Sequence, residues 1–211
     1  EDMTTFEQFY DAYKKQMDYA IQLLVNADNA IDMAHAERCP LPFLSSMVDD
    51  CMKVGKTVQE GGAVYNFTGP QGFGVANMAD SLYSVKTLVY DEKKITMGEL
   101  KEALATNYGK GLGAEDVAAM TAKIANELKE AGKTIGEKEV AAILNTVVAA
   151  SEAPEVKANG ERILKLIEEV PKFGNDISEV DAFARDVAYT YTEPLQNYKN
   201  PRGGSFQAGL Y

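Results

Sequence analysis

The sequence has few of the residues that build metal, disulfide or membrane sites. It contains one histidine and two cysteines among 211 residues, and charged side chains interrupt every apolar run before it reaches the roughly 20 residues that span a bilayer. Cys39 and Cys51 fit neither a disulfide framework nor the spacing of a four-ligand metal site. We therefore expect a soluble, cytoplasmic protein that binds no metal in this segment and contacts no membrane.

Positive charge is also scarce. Lys and Arg number 21 against 32 Asp and Glu, so the formal net charge is −11. A chain of this charge repels the phosphate backbone of a nucleic acid. Hydrophobic residues make up 45% of the composition, which is enough to form a buried core. The composition thus predicts an ordered globular protein with no nucleic-acid partner.

Apolar periodicity predicts a long helix at the start of the chain. From Thr4 to about Arg38, apolar residues recur at alternating steps of three and four, which places them on one helical face. Thr4 with Glu7 predicts a capping box at its beginning, and Thr96 with Glu99 predicts a second capping box further on. The length of the first helix suggests a large scaffold.

The rest of the chain alternates helices with glycine-rich loops. Further helices are expected at 43–54, 78–90 and 178–198, the last with Ser178 and Asp181 as its cap, and strand-like runs at 63–67 and 205–211. The loop from Gly69 to Gly74 allows the backbone to approach a neighbour or a ligand closely. Residues 109–169 are rich in Ala, Lys and Glu, which predicts a helical insertion.

The two ends of the sequence suggest a piece of a longer protein. The chain begins at Glu1, and it stops at Tyr211 inside a strand-like run. An apolar strand that ends abruptly would need a neighbour to cover its edge. We therefore interpret the 211 residues as an internal segment.

Few side chains suggest chemistry on their own. The loop Gly72-Phe73-Gly74 lies between a strand-like run and a helix, as in a dinucleotide-binding turn, but the third glycine of such a turn is replaced by Asn77. His35 has no ligand partner at metal spacing, and a single histidine gives no convincing catalytic pair with either cysteine. Taken alone, these residues name no enzyme.

Three ordered segments carry a family resemblance. They are GGAVYNFTGPQGFGVANMADSL from Gly61, PKFGNDISEVD from Pro171 and NPRGGSFQAGLY from Asn200. In wording and order they closely resemble the pyruvate formate-lyase-like domain of the glycyl radical enzymes. The resemblance covers the chain except for 109–169, so residues 1–211 are expected to form part of that domain, with 109–169 as a helical insertion within it.

The resemblance implies an α/β fold in which this segment is predominantly helical and forms part of a ten-stranded barrel wrapped by helices. In that family one loop carries a cysteine that becomes a thiyl radical, and another carries the glycine that stores the radical. Their Gly-Cys-Val-Glu and Arg-Val-x-Gly-Tyr motifs are absent from the 211 residues, so no catalytic residue and no bound cofactor are expected here. The complete enzyme would hold a glycyl radical, installed by an S-adenosylmethionine-dependent activating enzyme, and would form a homodimer.

The resemblance also implies a substrate. Three stretches are most similar in sequence to the isethionate sulfite-lyase branch: Gln71 to Asp80, the insertion and the last ten residues. Enzymes of that branch cleave a carbon–sulfur bond to give sulfite and acetaldehyde. In that branch Arg202 and Phe206 fall at substrate-binding positions, and a guanidinium suits a sulfonate because it donates two parallel hydrogen bonds. A structural ion pair is an equally good interpretation of Arg202.

Two other functions stay open at this point. One is a different glycyl radical lyase or dehydratase, acting on a diol, glycerol or choline. The other is a non-enzymatic helical interaction module, which is favoured if the 211 residues are the whole natural protein.

Overall fold

A computed structural model of the protein describes residues 3–110, 114–130, 137–151 and 153–211. Within these ranges the chain is predominantly helical, as the sequence predicts. The helices are α1 (Phe6–Arg38), α2 (Pro42–Ser46), α3 (Cys51–Val54), α4 (Val75–Val85), α5 (Met97–Ala105), α6 (Ala114–Glu130), α7 (Glu137–Ser151), α8 (Pro154–Glu169) and α9 (Ser178–Leu195). The strands are β1 (Gln71–Gly72) and β2 (Gly209–Leu210), with a 3-10 turn at Val58–Glu60 and a π-helical segment at Lys86–Asp91.

The chain forms two compact units. One comprises Glu1–Tyr83 and Pro171–Tyr211, and the other comprises Ser84–Val170. The described residues contain one pair of strands, in the first unit, so a ten-stranded barrel is not seen in this segment and stays a prediction. The proposed insertion at 109–169 lies inside the second unit, and its status as an insertion also stays a prediction.

Helix α1 agrees with the periodicity of the sequence but begins on a different cap. The Thr5 hydroxyl accepts a hydrogen bond from the Gln8 N–H at 3.3 Å, and Thr5 has the extended backbone of an N-cap. The predicted Thr4–Glu7 capping box is therefore wrong by one residue. Thr4 lies outside the helix, where its N–H donates to the Gln8 side-chain oxygen at 2.8 Å.

The core of the first unit forms where α1, α9 and the chain near β2 meet. Its buried members are Ile21, Val25, Tyr191, Leu195 and Phe206. A second cluster joins α4 to α9 through Ala79, Leu82, Ala184 and Val187, and aromatic rings of α1 cover it. Burial of a large apolar side chain contributes about 1.5 to 3 kcal/mol, so these two clusters hold the first unit together.

Two predicted elements between α1 and β1 are wrong. The expected helix at 43–54 is divided into α2, which ends at Ser46, and α3, whose N-cap residue Asp50 has a left-handed backbone with φ 72°. The expected strand at 63–67 is absent: the chain bends at Ala63 and Val64, and the Asn66 side-chain amide donates to the Ala63 carbonyl at 2.9 Å. Strand-like pairing begins only at Thr68, which bridges to Phe206.

The cap predicted for α9 is also wrong, although the helix is present. Ile177 occupies the N-cap position and offers no side-chain hydrogen bond. The Asp181 carboxylate is engaged elsewhere, because it accepts a hydrogen bond from the Gly174 N–H at 3.2 Å. Asp181 therefore fastens the preceding turn instead of closing a capping box with Ser178.

In the second unit, the capping box predicted for α5 is confirmed. The Glu99 N–H donates to the Thr96 hydroxyl at 3.1 Å, and the Thr96 N–H donates to the Glu99 carboxylate at 2.7 Å. The pKa of Glu99 is lowered mainly by the hydrogen bonds that its carboxylate accepts from the Thr96 N–H and the Thr96 hydroxyl, and further by the Arg162 guanidinium. Arg162 lies on α8, so its 2.9 Å ion pair with Glu99 ties the start of α5 to that helix.

We expect Thr96→Ala to lower the free energy of unfolding of the second unit by about 1 kcal/mol, since the cap loses its acceptor for the Glu99 N–H. The matched control is Thr146→Ala, at an exposed position inside α7, where alanine is the better helix former. Thermal denaturation of the complete protein measures both variants. An equal midpoint for the two would show that the cap adds nothing to stability.

No helix in the part of the chain that the structure describes is both long enough and apolar enough to cross a membrane.

Candidate functional site

The structure brings two glycine-rich segments of the sequence side by side. Residues 68–74 and 205–211 run parallel, with Gln71 opposite Gly209 and Gly72 opposite Leu210. The connecting hydrogen bonds run from Thr68 N–H to Ser205 O, Gln207 N–H to Thr68 O, Gly209 N–H to Pro70 O and Tyr211 N–H to Gly72 O, at 2.8 to 3.0 Å. Two of the three segments that carry the family resemblance therefore form one structural feature.

Glycine is required where the backbones of the two segments come closest to their neighbours. A Cβ on Gly204 would overlap the Asn66 carbonyl group, and a Cβ on Gly61 would lie 2.9 Å from the Arg202 carbonyl oxygen. At Gly72 a Cβ would lie 2.8 Å from the Tyr191 ring. The close approach expected of the glycine loop is therefore an approach to the 202–211 segment and to α9.

Arg202 lies at this close backbone contact, and its side chain is largely buried. Its Nε donates to the Asp32 carboxylate at 2.9 Å, and the exposed fractions of the two side chains are 18% and 21%. Its Nη2 donates to the Phe67 carbonyl at 3.3 Å and to the Thr68 hydroxyl at 3.2 Å. The guanidinium thus joins α1, through Asp32, to the two paired segments.

A second carboxylate of α1 stands next to the Asp32–Arg202 pair. Asp28 lies one helical turn before Asp32 on α1, and burial raises its pKa, with a further increase from the Asp32 charge. Burial also raises the pKa of the Tyr191 hydroxyl, and the Asp28 charge adds to the shift. A second anion placed beside Arg202 would meet these carboxylates.

Phe206 is part of the core. Its ring is 1% exposed and packs among Ile21, Val25 and Leu195. It also belongs to the lining of a cavity, so the position can reach both the core and an open space.

Two cavities flank the 203–208 segment. The larger, of about 490 Å³, is lined by Thr192, Gln196, Ser205, Phe206, Gln207 and Ala208. The smaller, of about 220 Å³, is lined by Val64, Tyr65, Asn66, Phe67, Gly203, Gly204, Ser205 and Gln207. Neither set of lining residues includes a charged side chain, whereas both include hydroxyl and amide groups. Such walls suit a small neutral molecule that bears hydroxyl groups.

The other sequence candidates line neither of the two cavities. His35 and Cys39 are exposed near the end of α1, and Cys51 is buried in α3. Over the described ranges, no group of three or more His, Cys, Asp or Glu side chains could hold a metal ion. The Gly74 N–H, which a dinucleotide phosphate would need, donates to the Tyr211 carbonyl at 3.0 Å. The structure therefore agrees with setting the dinucleotide interpretation aside.

Two residues of the site were missed by sequence reasoning. Asp32 pairs with Arg202, and Asn200 fastens the turn that precedes Gly204. The signal for Asp32 was present, since Asp28 and Asp32 stand on one face of a predicted helix, but neither sequence pattern nor spacing named the partner. Asn200 carried no signal beyond its place before a proline.

Comparison with known proteins adds the family. The pyruvate formate lyase-like family matches residues 1–211. A solved structure on 1,2-propanediol dehydration in Roseburia inulinivorans is 55% identical, has a TM-score of 0.88 and covers 100% of this chain and 25% of that one. The glycerol-bound form of the B12-independent glycerol dehydratase from Clostridium butyricum is 44% identical, with a TM-score of 0.70, over 100% of this chain and 20% of that one.

The curated relatives include enzymes that are named for sulfonate substrates. The (2S)-3-sulfopropanediol dehydratase of Klebsiella oxytoca is 28% identical over 98% of this chain and 19% of its own length. The isethionate sulfite-lyase of Nitratidesulfovibrio vulgaris is 33% identical over 54% of this chain and 14% of its own length. The expected similarity to isethionate sulfite-lyase is thus present, but it spans half of the chain, whereas the two dehydratase structures match all of it.

The chain spans about a fifth to a quarter of the length of the proteins that it matches end to end. The family match, in contrast, extends over every residue from the first helix to the paired segments. The chain therefore belongs to the pyruvate formate lyase-like family of glycyl radical enzymes.

Proposed function

We propose that the complete protein is a glycyl radical dehydratase that removes water from a small neutral vicinal diol such as 1,2-propanediol or glycerol. The observation that carries this proposal is the 55% identity and TM-score of 0.88 to the structure on 1,2-propanediol dehydration, over the whole chain. Dehydration of 1,2-propanediol to propanal and water is redox-neutral, so it needs no external oxidant or reductant.

The geometry at Arg202 supports a neutral substrate over a sulfonate. A two-pronged clamp on an anion uses two adjacent N–H groups of the guanidinium fork. Nε and Nη2 already donate to Asp32, Phe67 and Thr68. Nη1 alone has no hydrogen bond to the part of the chain that the structure describes, which suits one hydrogen bond to a hydroxyl group.

In this proposal the segment contributes a wall of the substrate site. We propose that Phe206 faces the substrate through its share of the larger cavity lining. Arg202 lines neither cavity, but it directly precedes Gly203 in the wall of the smaller one, and we propose that its Nη1 reaches the substrate from there, at the position that the sequence resemblance predicts. In the complete enzyme the radical stored on the glycine would supply hydrogen-atom abstraction through the thiyl radical of the other loop. The residues of this chain bind and orient the diol and keep water out of the cavity.

The partners follow from the same proposal. The radical requires an S-adenosylmethionine-dependent activating enzyme, and the complete protein is proposed to form a homodimer. The radical loops are proposed to lie in the rest of the polypeptide, because neither of their motifs occurs in the 211 residues.

Cleavage of the carbon–sulfur bond of isethionate is the second candidate. The match to isethionate sulfite-lyase over 118 residues favours it. The paired Asp32 and the neighbouring Asp28 weigh against it, because a sulfonate would have to approach two carboxylates.

A turnover assay separates the two candidates. We expect the complete protein, activated without oxygen and checked for its radical by electron paramagnetic resonance, to convert 1,2-propanediol or glycerol to an aldehyde at least about a hundred-fold more efficiently than it releases sulfite from isethionate. Aldehyde and sulfite are measured in parallel, with unactivated protein as the control. Sulfite release as the dominant activity would overturn the diol proposal, and absence of a radical after activation would overturn the enzyme class.

A further inference from the structure

The turn at residues 200–204 is organised by one buried side chain. Asn200 is 5% exposed. Its N–H donates to the Gly204 carbonyl at 3.0 Å, its carbonyl accepts from the Gly203 N–H at 3.0 Å, and its side-chain oxygen accepts from the Gly204 N–H at 2.8 Å. These three bonds close the turn on itself.

The same side chain also reaches the opposite segment. The Asn200 Nδ2 donates to the Asn66 carbonyl and, at 2.9 Å, to the Thr68 hydroxyl. Asn66 and Asn200 lie 134 residues apart in the sequence. One carboxamide therefore sets the separation of the two segments at the point where their parallel pairing begins.

The separation of the two segments at this point affects the shape of both cavities of the candidate site. The smaller cavity is lined by Asn66 and its neighbours on one side and by the Gly203–Gln207 stretch on the other, and Ser205 and Gln207 also line the larger one. A change in the separation of the two segments would therefore change the shape of both walls. Asn200 itself does not line either cavity.

We propose that Asn200 is a positioning residue of the substrate site: its carboxamide holds the 66–68 and 204–206 segments at the distance that shapes the wall facing the diol. The inference rests on the proposed function, since it assigns these cavities to substrate binding. A positioning residue of this kind affects KM, which reflects how tightly the substrate is held, more than kcat, the rate at which the bound substrate reacts.

Asn200→Asp tests the proposal in the complete, activated enzyme. The aspartate keeps the shape and the acceptor for the Gly204 N–H but loses both Nδ2 donors and places a charge against the Asn66 carbonyl. We expect KM for the diol to rise at least about ten-fold, kcat to change less than about three-fold and the radical per protomer to stay within about two-fold of wild type. The matched control is Asn197→Asp, an exposed residue three positions earlier that undergoes the same change of charge.

Asn200→Ala is the second variant, because it removes the same donors without adding charge. An unchanged KM in both variants, with Asn197→Asp as the reference, would overturn the positioning role. Parallel loss of soluble protein and radical in both variants would assign Asn200 to folding and would equally reject the proposal. A wild-type enzyme that ignores diols contradicts only the proposed function, and the KM comparison is then made on the substrate that the enzyme does use.

Discussion

Gly204→Ala is expected to destabilise the first unit by at least about 3 kcal/mol, the upper end of the usual cost of overpacking. The new methyl group would overlap the carbonyl of Asn66, which is backbone and cannot rotate away. Relief would require the 66–68 segment to separate from the 204–206 segment, with loss of the hydrogen bonds between them. The expected result is a sharply lower thermal midpoint and a low yield of soluble protein.

The neighbouring glycine provides the control for this prediction. Gly203 has φ +84° but nothing within 4 Å of its would-be Cβ. Gly203→Ala therefore meets only the backbone cost of the left-handed region, about 1 to 2 kcal/mol. If Gly204→Ala melts at or above the temperature of Gly203→Ala, the close contact between Gly204 and the Asn66 carbonyl is disproved.

Arg202→Ala is expected to lower stability by about 2 to 3 kcal/mol, somewhat less than the 3 to 5 kcal/mol of a fully buried pair, because about a fifth of each side chain is exposed. Asp32 would be left without its cation, close to the Asp28 carboxylate. Asp32→Ala should cost less, since Arg202 keeps its bonds to Phe67 and Thr68. The double variant should be more stable than the sum of the single effects predicts, and thermal or denaturant unfolding of all four proteins measures the coupling.

Activity of the same variants distinguishes the two interpretations of Arg202. If the substrate is a diol that receives one hydrogen bond, kcat/KM for the diol should fall about ten-fold in Arg202→Ala, and Arg202→Lys should recover part of the loss. If Arg202 clamps a sulfonate, kcat/KM for isethionate should fall by roughly two to four orders of magnitude. The radical signal serves as the control for intact activation, and normal turnover of both substrates would leave Arg202 with a structural role alone.

Features that depend on neighbouring residues were predictable from the sequence. The Thr96–Glu99 capping box spans three positions, and the periodicity of α1 repeats every turn, so both follow from local rules. The failures are also local in origin: two adjacent threonines compete for the cap of α1, and Asp50 adopts a left-handed backbone that no pattern in the sequence required.

Features that depend on distant residues were not predictable in this way. The loop from Gly69 to Gly74 indicated close backbone approach, but nothing in its sequence stated that the 202–211 segment is what it approaches. The partner of Arg202 lies on α1, 170 residues away in the sequence, and the partners of Asn200 lie more than 130 residues away. Family resemblance gave the class of protein, whereas these contacts depend on how the chain folds back on itself.

The division of the first unit into two stretches of sequence has a consequence for synthesis of the protein. Helix α1 leaves the ribosome before α9 and Phe206, which cover its apolar face and follow only after the whole second unit has been made. Until then Ile21 and Val25 have no cover from those residues, and the nascent chain is open to aggregation or to binding by a chaperone. The length of the intervening unit matters little for final stability, since doubling a loop costs only about 0.6 kcal/mol. It instead sets the delay before the first unit can close.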